Sequence, residues 1–419
     1  MRRLIMPLVL AITLASVTSD TPLPPVPQPE QLPVAFIGAT CAETKAPLSA
    51  ITWNVAMTPG MNPMYAERRA PIARVLQQLE YDVLCVQEAW LDNDKRLLTL
   101  ASGLPPANVF VHDTTGLNED EEDTCKNVPL DSLLECVSAQ CVDVVKEETT
   151  ICAIERCRGE LRKVLVHDRR CLNCLASQVG EGVETIGHAC VHGTASRIYS
   201  GRNGVMLLSR WPLTDREVAF LPSSYANRPV LLAQVRVPGM RTAVEVACTH
   251  VSSPQPIPPF HRGFVTWEDE QRAQVRVATE HLLSRAEGRP VIFMGDMNFG
   301  AGNGTTVVDY SRDALDDLYA EGWSDPAAGA VPPFCSVCGG NTVRGISGGP
   351  GFLLDHIFYV SGFRLGGRND RRESSGVTLQ PLCVDRLLDR KVSVIDHAGR
   401  DRSTNLSDHY AVRVKFGFQ

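Results

Sequence analysis

Asp296 and Asn298 follow a short apolar run, Val291-Ile292-Phe293-Met294, with Gly295 at its tip. A run of that length reads as a buried strand. Glycine lets the backbone turn there, and the two polar side chains then project together. A carboxylate and an amide so placed can hold an attacking water and a phosphoryl oxygen. Asp and Asn also end strands simply because they make good turns, so the pair carries little weight alone. Fragments of the same kind recur along the chain: Trp53-Asn54-Val55, Val86-Gln87-Glu88, Thr249-His250 and Ser407-Asp408-His409. Glu88 closes the run Val83-Leu84-Cys85-Val86-Gln87, and a carboxylate ending a buried strand needs a partner, a divalent cation or an arginine. His409 can exchange a proton near neutral pH, and a carboxylate can fix its tautomer. Asp355, within Leu353-Leu354-Asp355-His356-Ile357-Phe358, is a charge in an apolar strand and should face a histidine or an arginine. Asn54 could equally bond neighbouring loops, and a lone strand-end histidine such as His250 is more often structural than catalytic.

Taken in order, these fragments resemble the endonuclease/exonuclease/phosphatase superfamily of metal-dependent phosphoesterases. The segment from Asn203-Gly204-Val205 through Ser209-Arg210-Trp211-Pro212-Leu213 adds to the likeness. It runs glycine, apolar residues, serine, a basic residue, one further residue, proline and an apolar residue. The resemblance covers residues 48–111 and 202–416. It implies that Glu88 is the main ligand of Mg2+, with Asn54 and Asp408 in the metal region; Mn2+ or another divalent cation is the alternative. It also implies that His250 and Asn298 address the phosphate and that Asp355 orients His409. Either His409 or Asp296 then activates the water. One dedicated glutamate suffices chemically, because Mg2+ keeps several waters and takes substrate phosphate oxygens.

Within the superfamily, the chain looks most like the secreted bacterial neutral sphingomyelinases. Asn54-Val55-Ala56-Met57 matches their Asn-Val-x-Met start, whereas many nucleases carry Asp where Ala56 stands. The implied substrate is a phosphodiester, most simply a phospholipid at a membrane surface. A secreted nuclease acting on nucleic acid is the alternative reading, and a non-enzymatic adhesion or toxin module is a third. The chain departs from the sphingomyelinase pattern in a cysteine-rich stretch, and no membrane-inserting hairpin is evident in the sequence. Pro258-Pro259-Phe260, Phe264 and Trp267 could touch lipid or simply pack on the core.

Local patterning predicts the elements that position these groups. Strands are expected at residues 48–55, 82–87, 204–209, 229–237, 243–250, 291–294, 352–360 and 410–416. Helices are expected at 66–80, 92–102, 130–145, 151–166 and 267–286. Strands and helices mixed through both halves indicate two packed mixed β-sheets flanked by helices, an α/β (α+β) fold in four α-β-β-α layers.

The 419 residues carry a net charge of -7. Residues 113–196 hold sixteen Asp/Glu against eight Lys/Arg, so the remainder is close to neutral. No basic stripe supports non-specific binding to polyanions. The acidic run 119–123 lacks the spacing and glycine of a calcium loop. Residues 1–19 read as an export signal, with Arg2 and Arg3 before a short apolar run. Residues 20–46 read as a proline-rich linker. The resemblance implies that residues 47–419 form the catalytic domain, interrupted at 113–196 by a helical insertion. An export signal and fourteen cysteines favour a secreted or periplasmic, disulfide-bonded protein. The insertion's eight cysteines allow roughly a hundred pairings. Zinc is the alternative for Cys171 with Cys174 and for Cys335 with Cys338. Cys85 and Cys248, inside apolar strands, read as buried thiols.

Overall fold

A computed structural model describes Phe36, Ile37 and residues 41–419, except 113–124, 126–127, 129, 145–148, 168–170, 172–173, 176–177, 179–180, 193–197, 225, 255–262, 304–306, 345–348, 361–376 and 397. The export signal, most of the linker, the acidic run and the Pro258-Pro259-Phe260 segment expected from the sequence lie outside the described residues.

The strands are β1 (Phe36–Ile37), β2 (Leu48–Met57), β3 (Val83–Ala89), β4 (Val109–Val111), β5 (Met206–Ser209), β6 (Leu213–Leu221), β7 (Arg228–Val235) and β8 (Val244–His250). They continue with β9 (Val291–Asp296), β10 (Ala330–Val331), β11 (Asp355–Val360), β12 (Leu379–Leu387), β13 (Val392–Ile395), β14 (Asp401–Thr404) and β15 (Ala411–Phe418). Two mixed sheets dominate: a six-stranded sheet in the order β12-β15-β2-β3-β5-β4 and a five-stranded sheet in the order β11-β9-β8-β7-β6. The short pairs β1-β10 and β13-β14 stand apart. Helices α1 (Tyr65–Gln78) and α2 (Asp92–Ser102) cover the outer face of the six-stranded sheet, packing Ile72, Leu76 and Leu98 on Ile51, Trp53 and Leu84. The long helix Trp267–Ala286 and the short helix Asp313–Ala320 cover the five-stranded sheet. The result is the expected four-layer sandwich.

Side chains alternate across a strand, and this alternation builds the layers. In β9, Ile292 and Met294 enter the core between the sheets, while Val291 and Phe293 join the outer core. In β2, Leu48 and Ala50 face inward and Ile51, Trp53, Val55 and Met57 face outward. The helix Trp267–Ala286 starts where the sequence predicts, at a capping box: Thr266 accepts from the Asp269 amide, and Asp269 accepts from the Thr266 amide. Trp267 is buried, which favours core packing over lipid contact for this residue.

Several expectations are corrected. Cys85 and Cys248 are not thiols but a disulfide joining β3 to β8. Each strand alone shows only a small buried side chain; the sequence does not reveal that two strands 163 residues apart face one another. The helix expected over 151–166 is two, Thr149–Arg156 and Arg158–His167, parted at Cys157, whose sulfur is tied to Cys136. The strand expected from 352 begins at Asp355, because Phe352 pairs instead with Val337. All fourteen cysteines are paired, so the zinc alternatives fall. Cys171 bonds Cys125, Cys174 bonds Cys190, and Cys335 bonds Cys338. Cys141–Cys152 completes the four bridges between 125 and 190, and Cys41–Cys383 ties the N-terminal segment to β12. The bridged helices there bury their own small core of Leu133, Val137 and Val164. Among the described residues no helix is long and apolar enough to cross a membrane.

Candidate active site

The inward-facing positions of the two sheets continue past the apolar core and become polar at one end. Asp296 follows Ile292 and Met294 by alternation in β9. His250 follows Val244, Val246 and Cys248 in β8, and Asn54 follows Leu48 and Ala50 in β2. These side chains meet across the gap. The Asn54 amide donates to Asp296 Oδ2 at 2.9 Å, and His250 Nε2 lies 3.5 Å from the same oxygen. Asp355 begins β11 opposite Asp296 and accepts from His409 Nδ1 at 2.7 Å. His409 Nε2 then points to within 3.7 Å of Asp296 Oδ2.

Glu88 does not follow the alternation of β3, where Val83 and Cys85 face inward and Leu84 and Val86 outward. Its backbone is left-handed, φ 62°, which turns the carboxylate back toward the gap, 4.0 Å from His250 Nε2. A non-glycine residue in that region is uncommon and costs energy. Gly204 allows it: a Cβ there would stand 3.0 Å from the Glu88 Cα and 3.1 Å from the Trp90 ring. Gly295 is needed for a related reason, since its Cβ would collide with the Thr249 carbonyl on the neighbouring strand.

Burial and neighbouring charge set the protonation states. Glu88 is pushed up to about 7, first by burial and then by Asp408 and Asp296, against the pull of His409 and Asn54. Asp296 is pushed up to about 6 by burial, opposed by His409 and aided by Asp355. His250 is held well below the usual imidazole range by burial, Arg228 and His409. Burial also works against a charge on His409, but Asp355, Asp296 and Asp408 outweigh it and hold that ring well above the usual range. The two histidines therefore divide: His409 is an imidazolium at neutral pH and His250 a neutral ring. The Asn298 amide nitrogen sits 3.0 Å from the Val251 carbonyl and 3.1 Å from His250 Nε2. A carbonyl only accepts, so the nitrogen donates to both, and His250 Nε2 is an acceptor here. In this geometry His250 fixes Asn298 rather than offering Nε2–H to a phosphoryl oxygen.

Residues that the sequence did not single out complete the frame. Arg68 is buried and donates to the carbonyls of Pro63, Leu406 and Ala56 at 3.0, 2.6 and 2.8 Å, tying the turn after Asn54 to the segment before Ser407. Ser407 Oγ donates to the Asn54 carbonyl at 2.6 Å and accepts from the His409 amide at 3.1 Å. Gln271 Nε2 donates to the carbonyls of Ser252 and Asn298, both at 2.8 Å. A second buried pair, His356 and Asp325 at 2.7 Å, lies behind Asp355, with His356 Nε2 donating to the Phe299 carbonyl at 2.9 Å. Of these, only the serine in Ser407-Asp408-His409 carried a sequence signal.

The carboxyl-rich side of the site suits a hard cation. Glu88, Asp296 and Asp408 repel one another enough to raise the Glu88 proton affinity, and a bound divalent ion would relieve that repulsion. The donors are oxygens, as Mg2+ requires. Among the described residues, Asp296, Asp355 and His409 form a group whose possible ligand atoms all lie within 4.8 Å of one another. The Asp355 hydrogen bond occupies His409 Nδ1 at 2.7 Å, whereas Glu88, Asn54 and Asp408 offer oxygen donors.

Residues 51–409 match the Endonuclease/Exonuclease/phosphatase family. No curated protein matches the chain in sequence. Among solved structures, SmcL is 12% identical, with a TM-score of 0.50 over 88% of this chain and 98% of its own. Sphingomyelinase C from Streptomyces griseocarneus is 15% identical, with a TM-score of 0.47 over 89% of this chain and 99% of its own. A beta toxin variant from Staphylococcus aureus, solved with bound magnesium ions, is 13% identical, with a TM-score of 0.49 over 88% of this chain and 99% of its own.

Proposed function

The chain belongs to the endonuclease/exonuclease/phosphatase family of phosphoesterases, and from that premise we propose that it is an exported, Mg2+-dependent phosphodiesterase acting on a phospholipid. The observation that carries the reading is the convergence of the two sheets on one buried group, with Glu88 and Asp296 within 4.0 and 3.5 Å of His250 and the Asp355–His409 pair at 2.7 Å beside them.

The reaction is in-line attack of water on the phosphorus. Glu88, with Asn54 and Asp408, would hold a divalent cation, which supplies charge stabilisation to the phosphoryl and leaving oxygens. Asp296, ionised above about 6, is placed to take the proton of the attacking water. His409, protonated and fixed through Nδ1 by Asp355, has its Nε2–H 3.7 Å from Asp296 Oδ2 and would donate it toward a phosphoryl oxygen as charge develops. His250 anchors Asn298, which in turn orients phosphate or water. This division supports Asp296 as the base, because an imidazolium has no lone pair to accept a proton.

Two further observations support a lipid substrate over nucleic acid. The chain outside residues 113–196 is close to neutral and carries no basic stripe. Large apolar side chains also stand exposed on the loops that leave the site-bearing ends of β2, β8 and β9: Met61 at 48%, Val265 at 80% and Val308 at 38%. The Asn54-Val55-Ala56-Met57 motif favours the sphingomyelinase branch of the family. The paired cysteines suit an oxidising compartment.

The test is hydrolysis of sphingomyelin vesicles and of duplex DNA in parallel, with Mg2+ or with excess chelator. Release of phosphocholine that stops with chelator is the expected result. Turnover of DNA with no release from lipid would defeat the lipid reading, and undiminished hydrolysis in chelator would defeat the metal assignment.

A further inference from the structure

We propose that the Cys85–Cys248 disulfide is a positioning element of this site, setting the gap between the two sheets at which Glu88 and His250 meet. The proposal rests on the reading of the site given above. The bridge lies immediately beneath it: Cys85 precedes Glu88 on β3, and Cys248 precedes His250 on β8, with only Val86-Gln87 and Thr249 intervening. Both cysteines are fully buried. The other six disulfides do not join the two large sheets.

Packed sheets ordinarily stand about 10 Å apart. Here the two Cα atoms are 5.3 Å apart. The approach is matched by the surrounding backbone. Cys85 Sγ lies 3.4 Å from the Met294 carbonyl on the opposite sheet, and Cys248 Sγ lies 3.3 Å from the Met206 carbonyl on the other. Deeper in the same layer, residues such as Val246, Ile292 and Phe416 fill the space. At the bridge the two sulfurs fill it. Beyond it, Asn54 bonds Asp296 across the gap at 2.9 Å and Glu88 stands 4.0 Å from His250. Gln87 also donates to Cys85 Sγ at 2.8 Å and to Thr52 Oγ1 at 3.0 Å, fixing the residue next to Glu88 on the same bridge. The sulfurs do not reach the reacting atoms, so their contribution is geometric.

A bridge closing so long a loop also stabilises the fold, and the experiment has to separate the two effects. The variant Cys85→Ala/Cys248→Ala is compared with wild type and with Cys41→Ala/Cys383→Ala, which opens a longer loop away from the site, with a sequence separation of 342. Measured at a temperature where all three are folded are Mg2+ affinity by calorimetry, kcat and KM on whichever of sphingomyelin and DNA is hydrolysed, and backbone amide NMR shifts without metal. A displacement of about 1 Å can cost on the order of 100-fold in rate. The expected result is a loss of roughly tenfold or more in Mg2+ affinity and kcat for the Cys85/Cys248 variant. Away from the substituted strands, its Asn54, Asp296 and His409 amides should shift. The control should melt lower but keep all of these properties. If the Ala pair does not fold, Cys85→Val/Cys248→Ala refills the volume and carries the same comparison. Equal Mg2+ affinity, equal kcat and unmoved amides in variant and control would overturn the proposal, leaving the bridge a stabiliser only. Should wild type itself neither bind Mg2+ nor turn over, the functional reading fails, and the amide shifts alone still decide whether the bridge sets these strand ends.

Discussion

Replacing Glu88 by glutamine should stabilise the metal-free protein and weaken its response to Mg2+. In the folded chain the Glu88 carboxyl is raised from about 4.5 to about 7, chiefly by burial and then by Asp408 and Asp296. The sign follows from proton linkage. A carboxyl raised in the folded state keeps its proton to higher pH than it does in the unfolded chain. Stability is therefore full below the unfolded value and falls as pH rises toward about 7. Each tenfold gain in proton affinity is worth about 1.4 kcal/mol, which sets an upper limit of about 3–4 kcal/mol. One fifth of the side chain is exposed, so about 1–3 kcal/mol is the working range. Glutamine keeps the shape and removes this charge. His409 loses stabilising charge over a higher window, from its ordinary value upward, in both proteins. In chelator at pH 8 the Glu88→Gln variant should thus melt a few degrees above wild type, and at pH 4 the two should coincide. Saturating Mg2+ stabilises whatever binds it in the folded state, by about 2.7 kcal/mol at a hundredfold excess over Kd, so it should raise wild type and leave the variant nearly unmoved. Calorimetric melting at pH 4, 6 and 8, with chelator and with Mg2+, makes the measurement. A variant no more stable than wild type at pH 8 without metal, or equal stabilisation of both by Mg2+, refutes the reasoning.

Three other outcomes are expected. Asp355→Ala and His409→Ala should each lower kcat by roughly 100-fold, the scale of general acid–base groups, and the double variant should be little worse, since Asp355 acts through His409; fully multiplicative losses would show that they act separately. Gly204→Ala should cost roughly tenfold in Mg2+ affinity and kcat, because its Cβ would press on the Glu88 backbone at 3.0 Å, while Gly329→Ala, with its nearest neighbour at 3.9 Å, should change neither in the same assays. Non-reducing peptide mapping should find no free thiol and should recover Cys136–Cys157 and Cys141–Cys152 as separate bridges; reduced thiols with bound zinc would contradict this.

The sequence carried the strands and helices of the sandwich because their apolar periods are strong. The helices Asp92–Ser102 and Trp267–Ala286 lie within the limits read from patterning. Other strands were not legible. β6 is amphipathic but partly exposed, and β13 and β14 hold few apolar residues, so neither gives a clear run. The eight residues singled out for chemistry lie together, because each sits near the end of an apolar strand. What stayed hidden depends on contacts across long separations. Arg68 looks like an ordinary helix cation until its guanidinium is seen to bind backbone 338 residues away. Cys85 and Cys248 look like core residues until their strands are placed face to face. Protonation states were equally out of reach, since the contrast between His250 and His409 comes from which charges surround each ring.

The arrangement also gives a physical reason for the proposed cation. The alternation that supplies Ile292 and Met294 to the inner core delivers Asp296 to the same gap, and β8 delivers His250 in the same way. Such inward positions bring polar groups together but set no balance of charge among them. β11 and β3 add Asp355 and Glu88, and the final loop adds Asp408 beside His409. Four carboxyl groups thus gather around one imidazolium. Of the buried cations nearby, Arg68 directs its donors to backbone carbonyls, and Arg228 lies over the Trp90 ring. Burial first, and then these like charges, make Glu88 and Asp296 titrate high, and protonation relieves the excess at low pH. At neutral pH that relief is lost as the carboxyl groups ionise, and a divalent cation can replace it while leaving Asp296 as a base. On this view the proposed metal binding and the raised proton affinities both reflect carboxyl groups that are buried and crowded together, and a substitution that removes either carboxylate should weaken both together.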